Sequence, residues 1–335
     1  MIKNIPFLLI TTLLFSSCSK EEKPAIAFYY WRTIFKLSSL EKETLVNNNV
    51  QKLYIRYFDV DFDQKTNECF PLAPIHFNDK PSNFSVVPVI YIKNRVMLSN
   101  KLNIPDLVKK INDYIGQINT KNKIEIHEIQ IDCDWTLASK DNYLKFIDLF
   151  KKSNKTLLSA TIRLHQVKYF EKTKIPNVDK GVLMYYNMGK IAPDSLNSIY
   201  DKNLADNYLK SLKKYPLPLD VALPIFSWAI HIRNGRVIAL KNKINVADLK
   251  NDANFVQKTT NNFQVLNSNY KNSTFFKKDD ILKIEQISHE NLLQMASDLN
   301  ENFNNNPKEV IFYDLDQFNI QQYEKDIFAK VSAGF

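Results

Sequence analysis

The chain has 335 residues and a mass of 39.1 kDa; 44% of its residues are hydrophobic and 24% are charged. These ordinary globular values exclude a disordered or fibrous chain, and the length allows two domains or one α/β barrel of about 250 residues with insertions. Three cysteines are too few for a disulfide scaffold or a four-cysteine zinc site. The net charge of +9 comes from lysines scattered along the chain, so we expect a solvated surface and no nucleic-acid partner.

The first residues have the pattern of a secretory leader. A positively charged opening precedes an apolar run of 11 residues, Ile5–Phe15, which is shorter than the roughly 20 residues that span a bilayer as a helix. The run leads into Leu-Phe-Ser-Ser-Cys18, which resembles a bacterial lipobox. The resemblance implies cleavage before Cys18 and lipidation of its thiol and new amine. The alternative is an ordinary signal peptide that happens to contain a cysteine.

The segment after Cys18 bears on where the protein is exposed. Lys20-Glu21-Glu22 is similar to the short signal that sends lipoproteins of Bacteroidetes to the cell surface. We therefore expect residues 1–17 to be a leader, residues 18–24 a lipidated tether and residues 25–335 a single domain. The resemblance implies an outer-membrane lipoprotein that is anchored at Cys18 and exposed at the cell surface or, alternatively, faces the periplasm.

Eight apolar stretches alternate with amphipathic segments after the tether. Strands this apolar are typical of a parallel sheet that is buried on both faces. No Gly-x-Gly-x-x-Gly follows the first stretch, so a closed (β/α)8 TIM barrel is favoured over a dinucleotide-binding sheet. The predicted strands are Ala25–Trp31, Lys52–Phe62, Val86–Lys93, Glu128–Trp135, Leu157–Gln166, Gly181–Gly189, Leu219–Trp228 and Glu309–Phe318. The predicted helices are Ser39–Asn48, Asn103–Asn119, Asp141–Lys152, Leu204–Tyr215 and His289–Phe303.

Two segments interrupt this alternation. Residues 63–85 contain three prolines and are expected to form a loop. Residues 229–287 form a long insertion with Asn234-Gly235 between alternating apolar residues, which predicts a β-hairpin. Because the insertion leaves the seventh strand at its C-terminal end, we expect it to lie over the barrel mouth as a lid or substrate-contacting flap. A purely decorative insertion is the alternative.

Asp132 and Asp134 are the sharpest chemical feature of the strand ends, where such barrels carry their active sites. A spacing of two places both carboxylates on one face of the fourth strand, while Cys133 between them is expected to be a buried free thiol. Two carboxylates in a confined lumen cannot both ionise freely, so one pKa should rise toward that of a general acid. The alternative is a structural carboxylate, above all for the deeper Asp132.

Aromatic residues are the second feature, since all three tryptophans fall at strand ends. Flat indole faces stack on sugar rings, while acidic, amide and guanidinium groups bind sugar hydroxyls. We therefore expect a substrate-binding set that consists of Tyr30, Trp31, Arg56, Asp59, Trp135, Arg163, His165, Tyr185, Asn187, Trp228, Asp314 and Asp316.

The order of these motifs resembles a known family. Ile-Gln-Ile-Asp132-Cys-Asp134-Trp-Thr136 is similar to the Asp-x-x-Asp-x-Asp-x-Glu strand of family 18 glycoside hydrolases, the chitinase-like barrels. Leu183-Met-Tyr-Tyr-Asn187 resembles their Met-x-Tyr-Asp motif, and Asp220-Val-Ala-Leu-Pro-Ile-Phe226 resembles their Gly-x-Pro-x-Tyr strand. A group of lipoprotein barrels of Bacteroidetes is still more similar. The resemblance implies a glycoside hydrolase-like enzyme for an extracellular or cell-wall glycan, with Asp132, Asp134 and Tyr186 as catalytic residues and neither cofactor nor metal.

The sequence departs from that family where the chemistry is decided. Thr136 stands at the position of the catalytic Glu, and Asn187 at that of the motif's final Asp. If the protein hydrolyses sugars, Asp134 is the best substitute acid, with cross-barrel partners to be sought among Asp59, Asp61, Asp314 and Asp316. The alternative is a catalytically inactive, glycan-binding lipoprotein on a degenerate barrel. A hydrolase that reuses the barrel for unrelated chemistry is a third possibility.

Overall fold

The computed structural model describes residues 23–335. The predicted leader, the lipobox and Cys18 lie outside the described residues.

Eight parallel strands form a closed barrel. The first strand pairs with both the second and the eighth, so the sheet has no open edge. This confirms the predicted (β/α)8 fold, with an insertion after the seventh strand. The barrel strands, numbered one to eight below, are Ala25–Tyr30, Lys52–Asp63, Ser85–Ile92, Glu128–Asp132, Leu157–Arg163, Lys180–Met184, Leu219–Pro224 and Glu309–Tyr313.

Helices cover the outside of the barrel and bury their apolar faces against it. The longest, Ile104–Asn122, is capped by Asn103, whose side chain accepts a hydrogen bond from the backbone N–H of Asp106, and it buries Leu107 and Ile111 on one face. The other helices are Ser39–Asn47, Asn94–Met97, Lys140–Ser153, Leu164–Lys168, Phe170–Thr173, Lys202–Leu209, Val246–Lys250, His289–Asn302, Gln317–Ile320 and Ile327–Ser332, with a 3₁₀ turn at Leu212–Lys214.

The segment expected to be a loop between the second and third strands contains extended structure. Glu68–Leu72 pairs antiparallel with the long second strand, and His76–Phe77 pairs with Ile34–Phe35. The second strand runs to Asp63, beyond the barrel wall, so its last residues have free hydrogen-bonding groups that a returning strand satisfies.

The insertion folds around a small core of its own. Five antiparallel strands form its sheet: Trp228–Arg233, Arg236–Asn242, Phe255–Gln257, Asn262–Val265 and Ile281–Glu285. A separate hairpin pairs Asn269–Lys271 with Thr274–Phe276. The turn between the first two strands is Asn234-Gly235, with φ of 51° and 68°, which is the left-handed geometry that this dipeptide favours.

The insertion is tied to the C-terminal end of the barrel. Lys243 Nζ forms a 2.9 Å ion pair with Asp316, just beyond the eighth strand. Lys283 Nζ lies 2.6 Å from the carbonyl oxygen of Leu196 and 3.1 Å from Asp194, both in the connection that follows the sixth strand. The insertion therefore stands on the mouth side of the barrel, while its role as a lid or flap stays a prediction.

Candidate functional site

Side chains of the fourth strand alternate between the lumen and the surrounding helices, as the two-residue period of a strand requires. Tyr29 on the first strand donates a 2.6 Å hydrogen bond to Gln130. One step nearer the mouth, Thr161 on the fifth strand donates a 2.7 Å hydrogen bond to Asp132. Asp134 follows on the same face, beyond the end of the strand.

The two aspartates differ in environment. Asp132 is buried, and burial raises its pKa to about 7, while the Thr161 hydroxyl opposes this rise and the negative charge of Asp134 adds to it. The Asp134 side chain is 40% exposed and forms a 3.2 Å ion pair with Arg163 at the end of the fifth strand. The pair therefore combines a buried inner carboxyl that can hold a proton near neutral pH with an accessible outer carboxyl that is in contact with Arg163.

An irregularity in the second strand places a second polar pair in the mouth. The pairing register shifts between Arg56 and Phe58, so Tyr57 is an extra residue with no partner on the third strand. This bulge brings Arg56 and Asp59 to the same side, although they are three residues apart, and Arg56 Nε lies 2.6 Å from Asp59 Oδ1. The Arg56 guanidinium also lies 5.8 Å from the centre of the Trp31 ring.

Aromatic rings form a continuous wall on the other side of the mouth. Tyr313 at the end of the eighth strand lies 5.3 Å from Trp31, 5.7 Å from Tyr186 and 5.8 Å from Phe226, measured between ring centres. Phe226 continues the wall to Trp228 at 5.1 Å. The Trp228 indole N–H donates a 2.8 Å hydrogen bond to Glu285 of the insertion, which fixes the ring. Trp31, Tyr313, Phe226 and Trp228 are only partly buried, so their faces are open to a ligand.

Three residues expected to bind substrate lie outside the lumen, and this expectation is corrected. Tyr30 donates its hydroxyl to the carbonyl oxygen of Lys36 on the helix side of the first strand. Trp135 is fully buried and stacks on Tyr143 of the helix Lys140–Ser153, with ring centres 5.1 Å apart. Tyr185 is buried toward Asp298 of the helix His289–Asn302. Each is the immediate neighbour of a luminal residue, and a step of one along a strand reverses the face.

The remaining expected residues divide into mouth and rim. His165, in the helix Leu164–Lys168, lines a small cavity of about 60 Å³ together with Arg163, Tyr186 and Asn187. Burial and the charge of Arg163 lower the pKa of His165, which favours the neutral imidazole. Asn187 has a left-handed φ of 55°, which turns the chain away after the sixth strand.

The acidic residues after the eighth strand have different environments. Burial, and then the charge of Asp316, raise the pKa of Asp314 to about 6, and Asn319 donates a 2.6 Å hydrogen bond to it. Asp316 caps the helix Gln317–Ile320 and is paired with Lys243, so its interactions are structural. Asp61 is bound by Lys93 and Arg95, and the Arg95 guanidinium holds the pKa of that carboxyl well below its usual range. Asp314 is therefore the second carboxyl of the mouth that can hold a proton near neutral pH.

Thr136 lies off the luminal strand. It is exposed, and its backbone N–H donates a 2.9 Å hydrogen bond to Ser139 in the turn before the helix Lys140–Ser153. The strand ends at Asp132, four residues before Thr136. The departure from the family pattern at this position thus leaves no carboxyl in the turn.

Three residues near the mouth were missed by the sequence analysis as members of the site. Thr161 hydrogen-bonds to Asp132, and Tyr313 is the centre of the aromatic wall. Burial, together with the charges of Asp134 and Asp132, raises the pKa of Tyr91 to about 12. Counting every second residue back from the predicted mouth would have found Thr161 from Arg163.

A cavity of about 900 Å³ lies at the opposite end of the barrel. Its charged lining includes Glu128, Asp220 and Glu309, and all three carboxylates lie within 3.3 Å of Lys180 Nζ. Lys52 also pairs with Glu128 and Glu309. Because these charges neutralise one another, we place the candidate site at the mouth instead.

Comparison with solved structures identifies proteins of the same fold. A chitinase from Bacteroides thetaiotaomicron superimposes with a TM-score of 0.56 at 11% identity, over 93% of this chain and 97% of that one. A chitinase from Chromobacterium violaceum gives 0.54 at 10% identity, over 93% and 98%. The chain has a chitinase-like barrel fold. At this identity the likeness extends to the fold alone, and no protein-family model and no curated protein matches the chain.

A third solved structure of the same fold contains a bound oligosaccharide. A family 18 chitinase from Cycas revoluta, solved in complex with (GlcNAc)4, superimposes with a TM-score of 0.51 at 10% identity, over 92% of this chain and 98% of that one.

Within residues 23–335, no three His, Cys, Asp or Glu side chains are grouped so as to hold a metal ion. No helix in this part of the chain is long and apolar enough to cross a membrane.

Proposed function

We propose that this protein binds an oligosaccharide of an extracellular or cell-wall glycan in the barrel mouth and hydrolyses a glycosidic bond there. The observation that carries the proposal is the pairing of Asp132, with its pKa raised to about 7, with the accessible Asp134 in a mouth walled by aromatic rings. Glycosidic cleavage needs a carboxyl that is protonated near neutral pH, and burial beside another carboxylate is the physical means to obtain one.

The two aspartates have separate roles in this mechanism. Asp134 is the group that can reach a glycosidic oxygen, since Asp132 is buried beneath it. Asp132 is the carboxyl of the pair that can hold a proton near neutral pH, because its pKa is raised to about 7. Arg163 orients Asp134 through their 3.2 Å ion pair.

The neighbouring residues position the sugar. Burial and the charges of Asp132 and Asp134 raise the pKa of Tyr186 well above its usual range, so this phenol stays neutral and can donate a hydrogen bond to a substrate oxygen. Trp31 and Trp228 offer partly open ring faces for stacking. Asn187 and Arg56 supply amide and guanidinium donors for hydroxyl or carbonyl oxygens.

A second function, glycan binding without hydrolysis, is favoured by one observation. The exposed turn at Thr136 offers no carboxyl, and Asp134 is held in an ion pair with Arg163. In that case the aromatic wall would carry the affinity and the aspartates would only bind hydroxyls.

The test measures the release of reducing ends from chitooligosaccharides, peptidoglycan and host glycans. Chitooligosaccharides come first because a barrel of the same fold binds (GlcNAc)4. Asp134→Asn should abolish release but retain binding, whereas Asp141→Asn, which changes a carboxylate that is 95% exposed on a helix, should leave release unchanged. Release that survives in Asp134→Asn would exclude this mechanism. Binding with no release from the unmodified protein would favour the second function.

Membrane attachment through Cys18 completes the proposal. The lipobox-like sequence supports a lipid-anchored protein at the outer membrane, exposed at the cell surface or facing the periplasm. Cys18→Ser should move the protein from the membrane fraction to the soluble fraction, and the mass of the N-terminal peptide should show the lipid. Digestion of the protein by protease added to intact cells would separate the surface location from the periplasmic one.

A further inference from the structure

Four helix-to-strand connections at the N-terminal end of the barrel are unusually basic. They comprise residues 121–127, 151–156, 210–218 and 302–308, and we call them the basic face. They contain nine lysines and one acidic residue, Glu125, whereas the whole chain has 45 basic and 36 acidic residues. Nine lysines are thus gathered in four short segments at the end opposite the mouth.

Most of these lysines lack a counter-charge among the residues that the structure describes. Lys151 forms a 2.9 Å ion pair with Asp179. The other eight are exposed, and none has an ion-pair partner within residues 23–335. Lysines in the last turn of a helix are expected, because the helix dipole favours them there. That preference does not account for Lys155 and Lys308, which lie beyond the helix ends.

The mouth does not share this imbalance. Asp134 is paired with Arg163, and Asp59 with Arg56, on its two sides. The charged groups named in the mouth are therefore paired, whereas eight lysines of the basic face have no ion-pair partner within residues 23–335.

The chain enters the barrel through the basic face. The backbone N–H of Ala25 donates a 2.8 Å hydrogen bond to the carbonyl oxygen of Lys308, and Ser332 donates one of 2.7 Å to the carbonyl oxygen of Pro24. Seven residue steps separate Ala25 from Cys18, which is at most about 25 Å of extended chain. A lipid at Cys18 would thus hold the basic face, and not the mouth, next to the bilayer.

We propose that the basic face docks on the anionic surface of a membrane and holds the barrel mouth away from the bilayer, toward soluble or cell-wall glycan. The inference rests on the proposed attachment at Cys18 and is independent of the glycan chemistry. Eight exposed ammonium groups on one surface are attracted to phosphate head groups, and the attraction is strong only within about 8 Å at physiological salt. The tether confines the face to within about 25 Å of the anchor, so the face can reach that range.

Hydrogen exchange on the full chain, reconstituted in lipid nanodiscs, tests the proposal. Backbone amides of residues 210–218 and 302–308 should exchange on the order of threefold more slowly in discs that contain phosphatidylglycerol than in pure phosphatidylcholine discs. The difference should vanish at about 1 M salt, where screening leaves only about 3 Å of range. Equal exchange in both lipids would overturn the proposal.

A matched pair of variants separates the face from the net charge. Both variants change four exposed lysines to glutamine, and the control carries its changes in the insertion on the mouth side. The lipid-dependent protection should be lost in the first and kept in the second. Equal behaviour of the two would overturn the proposal. The test variant changes Lys155, Lys213, Lys214 and Lys308; the control changes Lys250, Lys258, Lys277 and Lys278.

Two further results are diagnostic. Soluble polyphosphate added to phosphatidylcholine discs should give no comparable protection; the same protection from polyphosphate would identify a general polyanion site and overturn membrane docking. The mass of the N-terminal peptide from the same preparation reports lipidation separately. A failure of docking is thus distinguishable from a failure of the anchor, and the glycan assays report on neither.

Discussion

Both ends of the barrel lumen hold buried carboxyl groups, but these groups have different partners at the two ends. At the floor, Glu128, Asp220 and Glu309 share Lys180 and Lys52, with separations of 2.8 to 3.3 Å around Lys180. Tyr54 and Ser159 add hydrogen bonds to this cluster. At the mouth, Asp132 has a hydroxyl partner, and no cation of residues 23–335 forms an ion pair with it.

The difference distinguishes a structural charge cluster from a chemical one. Charges that neutralise one another at fixed distances contribute to a unique fold and have little left to offer a ligand. A carboxyl that is buried without a paired cation keeps its proton near neutral pH, and such groups concentrate at functional sites. The size of the cavity at the floor is therefore a poorer guide to function than the Asp132 carboxyl at the mouth, which is buried without a paired cation.

We expect the largest loss of stability when a cation is removed from the charge cluster at the floor. Lys180→Met leaves three buried carboxylates with one remaining cation, and the loss of a partner from a buried charge cluster costs about 3–5 kcal/mol. Urea unfolding at pH 7 measures the change. Lys213→Met, an exposed lysine at the same end without an ion-pair partner in residues 23–335, is the control and should cost less than about 0.5 kcal/mol. A cost below about 1 kcal/mol for Lys180→Met would mean that the floor cluster is dispensable.

At the mouth, we expect the removal of a carboxyl to raise the stability of the folded protein near neutral pH. Asp132 has its folded-state pKa raised from 3.8 to about 7, so the folded protein binds this proton more tightly than the unfolded chain. Its contribution to stability is therefore greatest below pH 4 and is lost as pH rises from about 4 to 7. A shift of about three pKa units corresponds to at most about 4 kcal/mol. Asp132→Asn keeps the shape and removes this loss, so it should raise stability at pH 8 by about 2–4 kcal/mol relative to its effect at pH 4.

The measurement is the urea midpoint of both proteins from pH 4 to 8. Asp141→Asn changes an exposed carboxylate and should leave the pH dependence unchanged. If Asp132→Asn destabilised the protein equally at every pH, the inner carboxyl would be ionised throughout, and the mechanism proposed for the pair would lose its proton.

The same substitution at two tryptophans distinguishes the barrel mouth from the outer helical layer. Trp228→Leu removes an aromatic face from the mouth wall and should weaken binding of a glycan found by the panel by about 5- to 30-fold, or about 1–2 kcal/mol. Trp135→Leu removes the same ring from its stack on Tyr143 and should lower the stability but leave the dissociation constant unchanged. Calorimetry measures the dissociation constant of the glycan for both variants. Equal losses of affinity would show that the ring at 228 acts through the fold.

The sequence predicted the barrel well because buried parallel strands have a strong apolar signal. The eight predicted strands begin within one residue of their observed starts, yet several end earlier than predicted. The fourth strand ends at Asp132 and the sixth at Met184, although the neighbouring fifth and seventh strands continue to Arg163 and Pro224. The point where a strand leaves its ladder depends on the backbone path of the following turn, which the apolar pattern does not contain.

The site was predicted in part for the same reason. Asp132, Asp134 and Arg163 follow the two-residue alternation within their own strands, so the sequence suffices to place them in the lumen. Tyr185 and Trp135 were expected at the mouth because they lie near strand ends, but their parity directs them to the helices. The bulge at Tyr57 changes the parity of the second strand, and no local signal announces it.

The smallest expected effect concerns the single hydrogen bond that tunes the inner carboxyl. Thr161 donates to Asp132 at 2.7 Å, and this bond stabilises the ionised form against the effect of burial. Thr161→Val keeps the shape but removes the donor, so the pKa of Asp132 should rise further by about 0.5–1 unit, or about 1 kcal/mol. Carbon-13 NMR titration of the Asp132 carboxyl measures it. Thr161→Ser retains the hydroxyl and should restore the original value, whereas a pKa that falls in Thr161→Val would mean that the hydroxyl accepts from a protonated Asp132 rather than donating to it.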